Sequence, residues 1–465
     1  MRGITVTIVW RNAKMAKQVF ETTRFERLSY GGFFLGQNII YALQFQFLTY
    51  FYTESVGLTL SSTAAMLLIS RLWDIFDDPL VGAIVDRVNL KSGKYLPWLR
   101  LVTYTVPLSL VFVFVNIGSI VAATGTAKLA FAYVTYIVWS VLYTFSDSPI
   151  FSLATVMTSQ MHERDRLISY GRFAAALAAI LTAVFMTLKA GAGWTGAIAI
   201  YMAFSFLVMF PLQFTAKERV QHKRSEDISI LKIFKCLFQN KYLLIYYVGF
   251  FAISAVNTLQ PIAPYFCNSN LGDEEMLTIV LGLSVLPILI AAPMLPFFIS
   301  RFGKKRLTIY TSLAAIVLSV IQYFMGYANF PLFLAFTALR VLCMQFPLLI
   351  YGMFTADCIE YGAYITGERT EAIAFSVQTL ITKLGGTVCN TICLQLLILF
   401  GYAQQSATQT RAALDGIWKI LTLVPVAGFA VMIIIMLFFY KLREEDVQKI
   451  MRINRGEEVK EVLTL

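Results

Sequence analysis

Residues 216–240, AKERVQHKRSEDISILKIFKCLFQN, decide how this chain is organised. The stretch holds Lys217, Arg219, Lys223, Arg224, Lys232 and Lys235, with Lys241 just beyond it, in a sequence otherwise made of apolar runs. A helix that crosses a bilayer needs about 20 mostly apolar residues. Upstream of the basic stretch, six such runs are legible at 30–53, 60–85, 99–122, 127–157, 168–190 and 194–215. Downstream there are six more, at 241–267, 277–300, 307–326, 331–357, 372–400 and 415–440. Several exceed the minimum length, which implies tilt or kinks within a span.

The composition agrees. Of 465 residues, 58% are hydrophobic and only 14% are charged, with a mean hydropathy of +0.69, whereas a soluble domain carries roughly a quarter charged residues. Too few polar side chains are present to coat a soluble protein, so the lipid bilayer must solvate most of the surface. The expected class is an all-α polytopic membrane protein with twelve transmembrane helices in two pseudo-symmetric six-helix bundles. The first 29 residues are basic and lack an apolar core of signal length, so the first hydrophobic helix is expected to act as its own anchor. The six cysteines are scattered through apolar stretches and read as small buried hydrophobes without a disulfide.

Basic residues fix the orientation. The first 29 residues, the even-numbered connections and the tail together carry 30 Lys and Arg, against 3 on the other side (Lys128, Lys189 and Arg411). The richer side is read as cytoplasmic by the positive-inside rule. The expected organisation is then a cytoplasmic N-terminal segment 1–29, a first bundle 30–215, a cytoplasmic central loop 216–240, a second bundle 241–440 and a cytoplasmic tail 441–465. Both termini face the cytoplasm, and the cell membrane (inner membrane) is the expected location. The net charge of +11 is spread over many connections, which argues against nucleic-acid binding.

Two internal echoes support duplication. Ser92-Gly93-Lys94-Tyr95 after the second run matches Phe302-Gly303-Lys304-Lys305 after the eighth, 210 residues on. Glu163-Arg164-Asp165-Arg166 before the fifth matches Glu368-Arg369-Thr370-Glu371 before the eleventh, 205 residues on. Two matches at nearly one offset, at equivalent junctions, point to a repeated unit.

Charges inside the runs are the functional signal, because each costs at least about 2.5–3.5 kcal/mol at the bilayer centre. Asp74, Asp77 and Asp78 lie in the second run, Asp147 in the fourth, Arg172 in the fifth, Arg340 in the tenth and Lys383 in the eleventh. Asp74 and Asp78 are one helical turn apart and share a face, and Pro79 permits a bend. With Asp147 and Thr144 they would form an oxygen-only cluster suited to Na⁺, Li⁺ or H⁺ as coupling ion. The bland alternative is an internal salt bridge to Arg71, Arg172 or Lys383. Asp77, turned away from Asp78, and Arg340 are both read as structural. His162 and His222 fall in connections, so no transition-metal site or cofactor is expected.

At these residues the chain resembles the glycoside–pentoside–hexuronide:cation symporters, the melibiose permease group of the major facilitator superfamily. The resemblance runs from Leu28 to about Tyr440. It rests on Ser29-Tyr30-Gly31, Arg71-Leu72-Trp73-Asp74 with Asp78-Pro79-Leu80, and Gly93-Lys94-Tyr95-Leu96-Pro97-Trp98. It rests also on Tyr143-Thr144-Phe145-Ser146-Asp147-Ser148-Pro149, Glu163-Arg164, Asp357-Cys358-Ile359-Glu360-Tyr361-Gly362, and Ser376-Val377-Gln378-Thr379 with Lys383. The resemblance implies a cation site at Asp74, Asp78, Asp147 and Thr144 with Lys383 close by, and places Arg172, Gln378 and Thr379 near the sugar. It assigns Arg164, Asp357 and Arg369 to cytoplasmic gating pairs that hold the outward-open state.

The chain departs from that pattern at the sugar. Asn38, preceded by Gln37, replaces a family carboxylate in the first helix, Phe151 replaces a stacking tryptophan in the fourth, and Leu348 stands at another such position in the tenth. An amide donates as well as accepts, whereas a carboxylate only accepts. The change would suit an anionic hexuronide or a different neutral glycoside. The expected function is cation-coupled symport of a glycoside, pentoside or hexuronide by alternating access, carried out by a monomer. The alternative is a cation-coupled carrier of a lipid-like or other non-sugar solute. No enzymatic motif is present: the sequence offers no metal-ligand cluster, phosphate loop or catalytic carboxylates on an external domain.

Overall fold

The computed structural model describes residues 20–87, 93–117, 124–219, 238–367, 371–406 and 408–454. The first half comprises α1 (Arg24–Tyr50), α2 (Leu60–Arg87), α3 (Leu96–Val113), α4 (Gly125–Met157), α5 (Met161–Ala183) and α6 (Phe185–Met209). The second comprises α7 (Lys241–Ser254, resuming as Leu259–Phe266), α8 (Met276–Phe302), α9 (Lys304–Met325), α10 (Phe330–Thr366), α11 (Glu371–Leu399) and α12 (Arg411–Thr422, resuming as Val424–Ile434). A short helix, α13 (Glu444–Asn454), follows.

Among the described residues, ten of the twelve elements α1–α12 are long and apolar enough to cross a membrane. The two that fall short, α1 and α2, carry the polar load: Gln37, Asn38, Gln44 and Gln46 on one, and Arg71, Asp74, Asp77 and Asp78 on the other. Those side chains need protein on the inside of the bundle, since lipid offers no partner. Asp74 and Asp77 are indeed buried.

Four features differ from the sequence expectation. The expected fifth span, 168–190, is interrupted at Val184, and α6 is itself divided at Gly193, whose φ of +68° favours a residue without a Cβ. Helix α7 breaks after Ser254, where Pro261 of its second part has no N–H to return to the preceding turn. Helix α12 breaks at Leu423, with Pro425 in the first turn of the resumed helix. Helix α10 runs to Thr366, nine residues past its expected end, because α13 packs on it and Asn454 bonds Glu360.

Packing follows the duplication. In the first half α1 packs on α5 and α6, α3 on α4 and α6, and α2 on α4. In the second half α7 packs on α11 and α12, α9 on α10 and α12, and α8 on α10. The two sets are the same pairs six helices apart. Between halves, α2 meets α11 and α5 meets α8, again exchanged by the repeat, while α1 meets the resumed part of α7.

The echoed Gly-Lys motifs have one structural job. Gly93 and Gly303 both have positive φ, 122° and 74°. Glu218, just after α6, accepts the N–H groups of Lys94, Tyr95 and Leu96 at 2.7, 2.8 and 2.8 Å. Glu444, after α12, accepts the N–H of Lys304 in the same way. Each carboxylate closes the positive end of the third helix of its half, and a Cβ on Gly93 would stand 2.7 Å from Glu218.

Among the described residues, the hydrogen bonds and ion pairs that join the halves gather at one end. At the face opposite the basic connections, Thr53 and Tyr265 share a 2.7 Å hydrogen bond, and Tyr50 donates to Glu274 at 2.7 Å. Lys189 pairs with Glu274, Gln404 donates to the Leu58 carbonyl at 2.6 Å, and the Gln405 N–H donates to Glu54 at 2.9 Å. One apolar core runs through the first half and into the far ends of α7, α8, α10, α11 and α12. A second lies wholly within the second half, towards the basic face. At that face the named ties stay within a half: Arg219 with Glu26 at 2.7 Å, Arg27 and Thr22 with Glu163, and Lys304 with Asp357.

Candidate functional site

Helices α2 and α4 run in the same direction side by side, so their residues can be compared by level. Ser140 donates to Asp74 Oδ1 at 2.8 Å, which sets the register. The other oxygen of Asp74 takes an Arg71 N–H at 2.7 Å from one turn earlier on α2. Both oxygens of this buried carboxylate are therefore engaged, by the salt bridge that the sequence weighs against a cation role. At about 1.5 Å rise per residue, Asp78 and Thr144 sit about 6 Å nearer the basic face, and Asp147 about 10 Å nearer. Asp147 is half-buried and receives a 3.3 Å hydrogen bond from Gln37 of α1. Thr144 is buried and donates to the Ser140 carbonyl at 3.1 Å. The side chain of Asp78 lies outside the described residues. Among the described residues, no three acidic, histidine or cysteine side chains gather as a metal site. The order along these helices is thus a closed Arg71–Asp74–Ser140 lock, then, nearer the basic face, the buried Thr144 and the half-buried Asp147.

The residues expected near the sugar divide. Asn38 donates to the Phe34 carbonyl at 2.8 Å, and Phe34 meets Phe151 edge-on with ring centres 5.1 Å apart, Phe151 being exposed. These three share one wall formed by α1 and α4. Arg172 is exposed on α5, whereas Gln378 and Lys383 are half-buried and Thr379 exposed on α11. Of the gating residues, Asp357 pairs inside its own half with Lys304, Arg164 is half-buried on α5, and Arg369 lies outside the described residues.

A further polar centre forms around a residue that reads as structural in the sequence. Arg340 of α10 is 1% exposed and lines a cavity of about 90 Å³ between the second half and α1 and α5 of the first. Its Nη1 donates to the Leu421 carbonyl at 2.9 Å, just before the break in α12. Sequence could have flagged Ser140, which lies seven residues before Asp147 and on the same helical face. The cavity around Arg340 depends on breaks in α7 and α12 and had no such signal.

Two repeated six-helix bundles, joined at one face around buried polar centres, define a polytopic membrane transporter of the rocking two-bundle class. Residues 29–444 match the family described as MFS/sugar transport protein. An isoprimeverose transporter of Lactiplantibacillus pentosus is 29% identical over 429 residues, covering 89% of this chain and 88% of that protein. A glucuronide carrier protein homolog of Escherichia coli is 26% identical over 445 residues, covering 90% of this chain and 93% of that protein. The solved nucleoside transporter NupG shares the fold with a TM-score of 0.64 at 13% identity, covering 90% of this chain and all of that one. The chain belongs to the MFS/sugar transport protein family, and it is a transporter.

Proposed function

We propose that this protein is a cation-coupled symporter of a glycoside, pentoside or hexuronide, and that its basic face is cytoplasmic. The observation that carries the reading is the one-ended junction of two repeated halves: such a body can rock about a central site. With the basic face inside the cell, this arrangement is the inward-open one. The relatives named for isoprimeverose and glucuronide support a sugar as cargo.

The coupling site of this proposal is the level of Asp78, Thr144 and Asp147. Asp74 belongs to it in a second role. Its pairing with Arg71 removes one negative charge from the cavity, leaving Asp78 and Asp147 to repel each other until Na⁺, Li⁺ or H⁺ arrives. A bound cation relieves that repulsion and favours substrate, and linkage requires the substrate to favour the cation equally. Purified protein screened by thermal shift against sugars, with and without Na⁺ and across pH, tests the reading. It predicts at least one sugar that stabilises markedly more with a coupling ion present. Stabilisation by sugar that ignores both Na⁺ and pH would contradict coupling.

A further inference from the structure

We infer that Arg340 is the carboxylate-binding residue of the substrate site, so that the preferred cargo is an acidic sugar. The inference rests on the sugar-transport reading and goes beyond it by naming the group that reads the substrate's charge.

Arg340 lies ten residues into α10 from its far end, or about 15 Å, half the thickness of a bilayer's hydrocarbon core. A guanidinium always carries its charge, and at this depth a cation without a counter-ion is costly enough that function is its default explanation. A helix-break cap is the competing explanation. The Leu421 carbonyl is a neutral acceptor and satisfies one of five N–H groups, while Arg340 Nε is buried with no partner. Among the described residues, no carboxylate pairs with Arg340, and it is the one charged residue lining the cavity. A cap does not require a full charge held in that state.

The surroundings are those of a ligand site. Gln46, Asn257, Gln260, Ser284 and Gln345 line the same cavity, which supplies amide and hydroxyl groups for sugar hydroxyls. The Gln46 Oε1 is buried without a partner. Asn257 sits at the break in α7, where the helix has been opened, and irregular backbone at membrane depth is tolerated where it lines a cavity. Contributions from α1 and α5 on one side and α7, α8, α10 and α12 on the other place the cavity between the repeats, where a rocking carrier holds its cargo. The planar fork of Arg340 matches a carboxylate with two parallel hydrogen bonds. The carboxylate brings the missing counter-charge, and the remaining hydroxyls meet the amides.

The test compares methyl β-glucuronide with methyl β-glucoside, which differ only at the sixth carbon. Binding of each to purified wild type, Arg340→Gln and Arg340→Lys is measured by calorimetry in Na⁺, in Li⁺ and at acid pH. Wild type should prefer the glucuronide by about tenfold or more, the scale of one charge-assisted pair. Arg340→Gln should erase that preference while retaining glucoside binding, and Arg340→Lys should keep part of it. Equal affinity for the two ligands in wild type would overturn the inference and leave a neutral-sugar symporter standing. Equal loss of both ligands in Arg340→Gln, with both restored in Arg340→Lys, would also overturn it, in favour of the helix-break cap. Binding of neither ligand to wild type under any of the three conditions would overturn the sugar reading itself. If Arg340→Gln does not insert, the wild-type preference and the Arg340→Lys ratio separate the same alternatives.

Discussion

The two halves of this molecule share one packing scheme and carry opposite chemistry. Each repeats the same five helix pairs, and each closes its third helix with a carboxylate from beyond its sixth. Yet the first half holds four acids in the membrane, Asp74, Asp77, Asp78 and Asp147, against the bases Arg71 and Arg172, while the second holds Arg340 and Lys383. Packing of a repeat is set by many interchangeable apolar contacts, so it survives divergence. Buried charge is set by single residues, each needing its own partner, so it diverges first and marks where the halves acquired separate tasks. The acidic half suits a cation and the basic half an anion, which is the division of labour that symport of an acidic sugar requires.

The largest effect should come from the acidic side. Asp147→Asn should reduce cation-driven uptake in proteoliposomes to the level of passive leak while the protein still inserts. Full Na⁺- or pH-driven accumulation in that variant would remove Asp147 from the coupling site. Next, Asp74→Asn should destabilise the protein by about 3–5 kcal/mol, the cost of stranding one member of a buried pair. Adding Arg71→Gln should recover most of that loss in a denaturation assay. If the double variant is no more stable than the single, the Arg71–Asp74 lock is not what holds α2 to α4.

A smaller effect is expected where the halves touch. Glu274→Gln removes the charge that Lys189 pairs with and that Tyr50 donates to. It should shift the population towards the opposite opening by about tenfold, equivalent to about 1.4 kcal/mol. Thiol labelling of a cysteine at position 58 from the far face reads the change, and unchanged labelling would contradict it. The smallest effect concerns pH at the basic face. Burial works against the Glu163 carboxylate, but hydroxyl and amide donors from Thr22, Thr158 and Glu21 outweigh it and hold its pKa below the usual carboxylate range. A carboxylate whose pKa is lowered in the fold stabilises above its unfolded pKa and loses that contribution as pH falls. Glu163→Gln should therefore cost stability at neutral pH and progressively less in acid, and a loss independent of pH would show that its charge does nothing.

Much of this architecture is legible in the sequence because lipid leaves so few solutions. Apolar length gives the spans, and basic asymmetry gives a common face. The Gly93 and Gly303 motifs show the repeat, because the same backbone geometry is needed at both. The breaks in α7 and α12 are less legible, since proline in a membrane helix is compatible with a kink as well as a full interruption. The engagement of Asp74 depends on a choice between Arg71 and a cation that spacing cannot make. Arg340 reads as structural in the sequence because its acceptor, Leu421, lies 81 residues away and its cavity forms only when six helices assemble.

The central claim is that the halves rock about a shared site, and one spectroscopic measurement addresses it. Spin labels at Gln160 and Arg301 span the halves at the basic face, and labels at Ala127 and Thr408 span them at the far face. Distances from double electron–electron resonance are recorded in nanodiscs, first without ligand and then with a coupling ion and a sugar that stabilises the protein. The rocking account predicts a shorter distance at the basic face and a longer one at the far face under the same conditions. Two distances that change in the same sense, or that stay fixed in protein shown to transport, would contradict it.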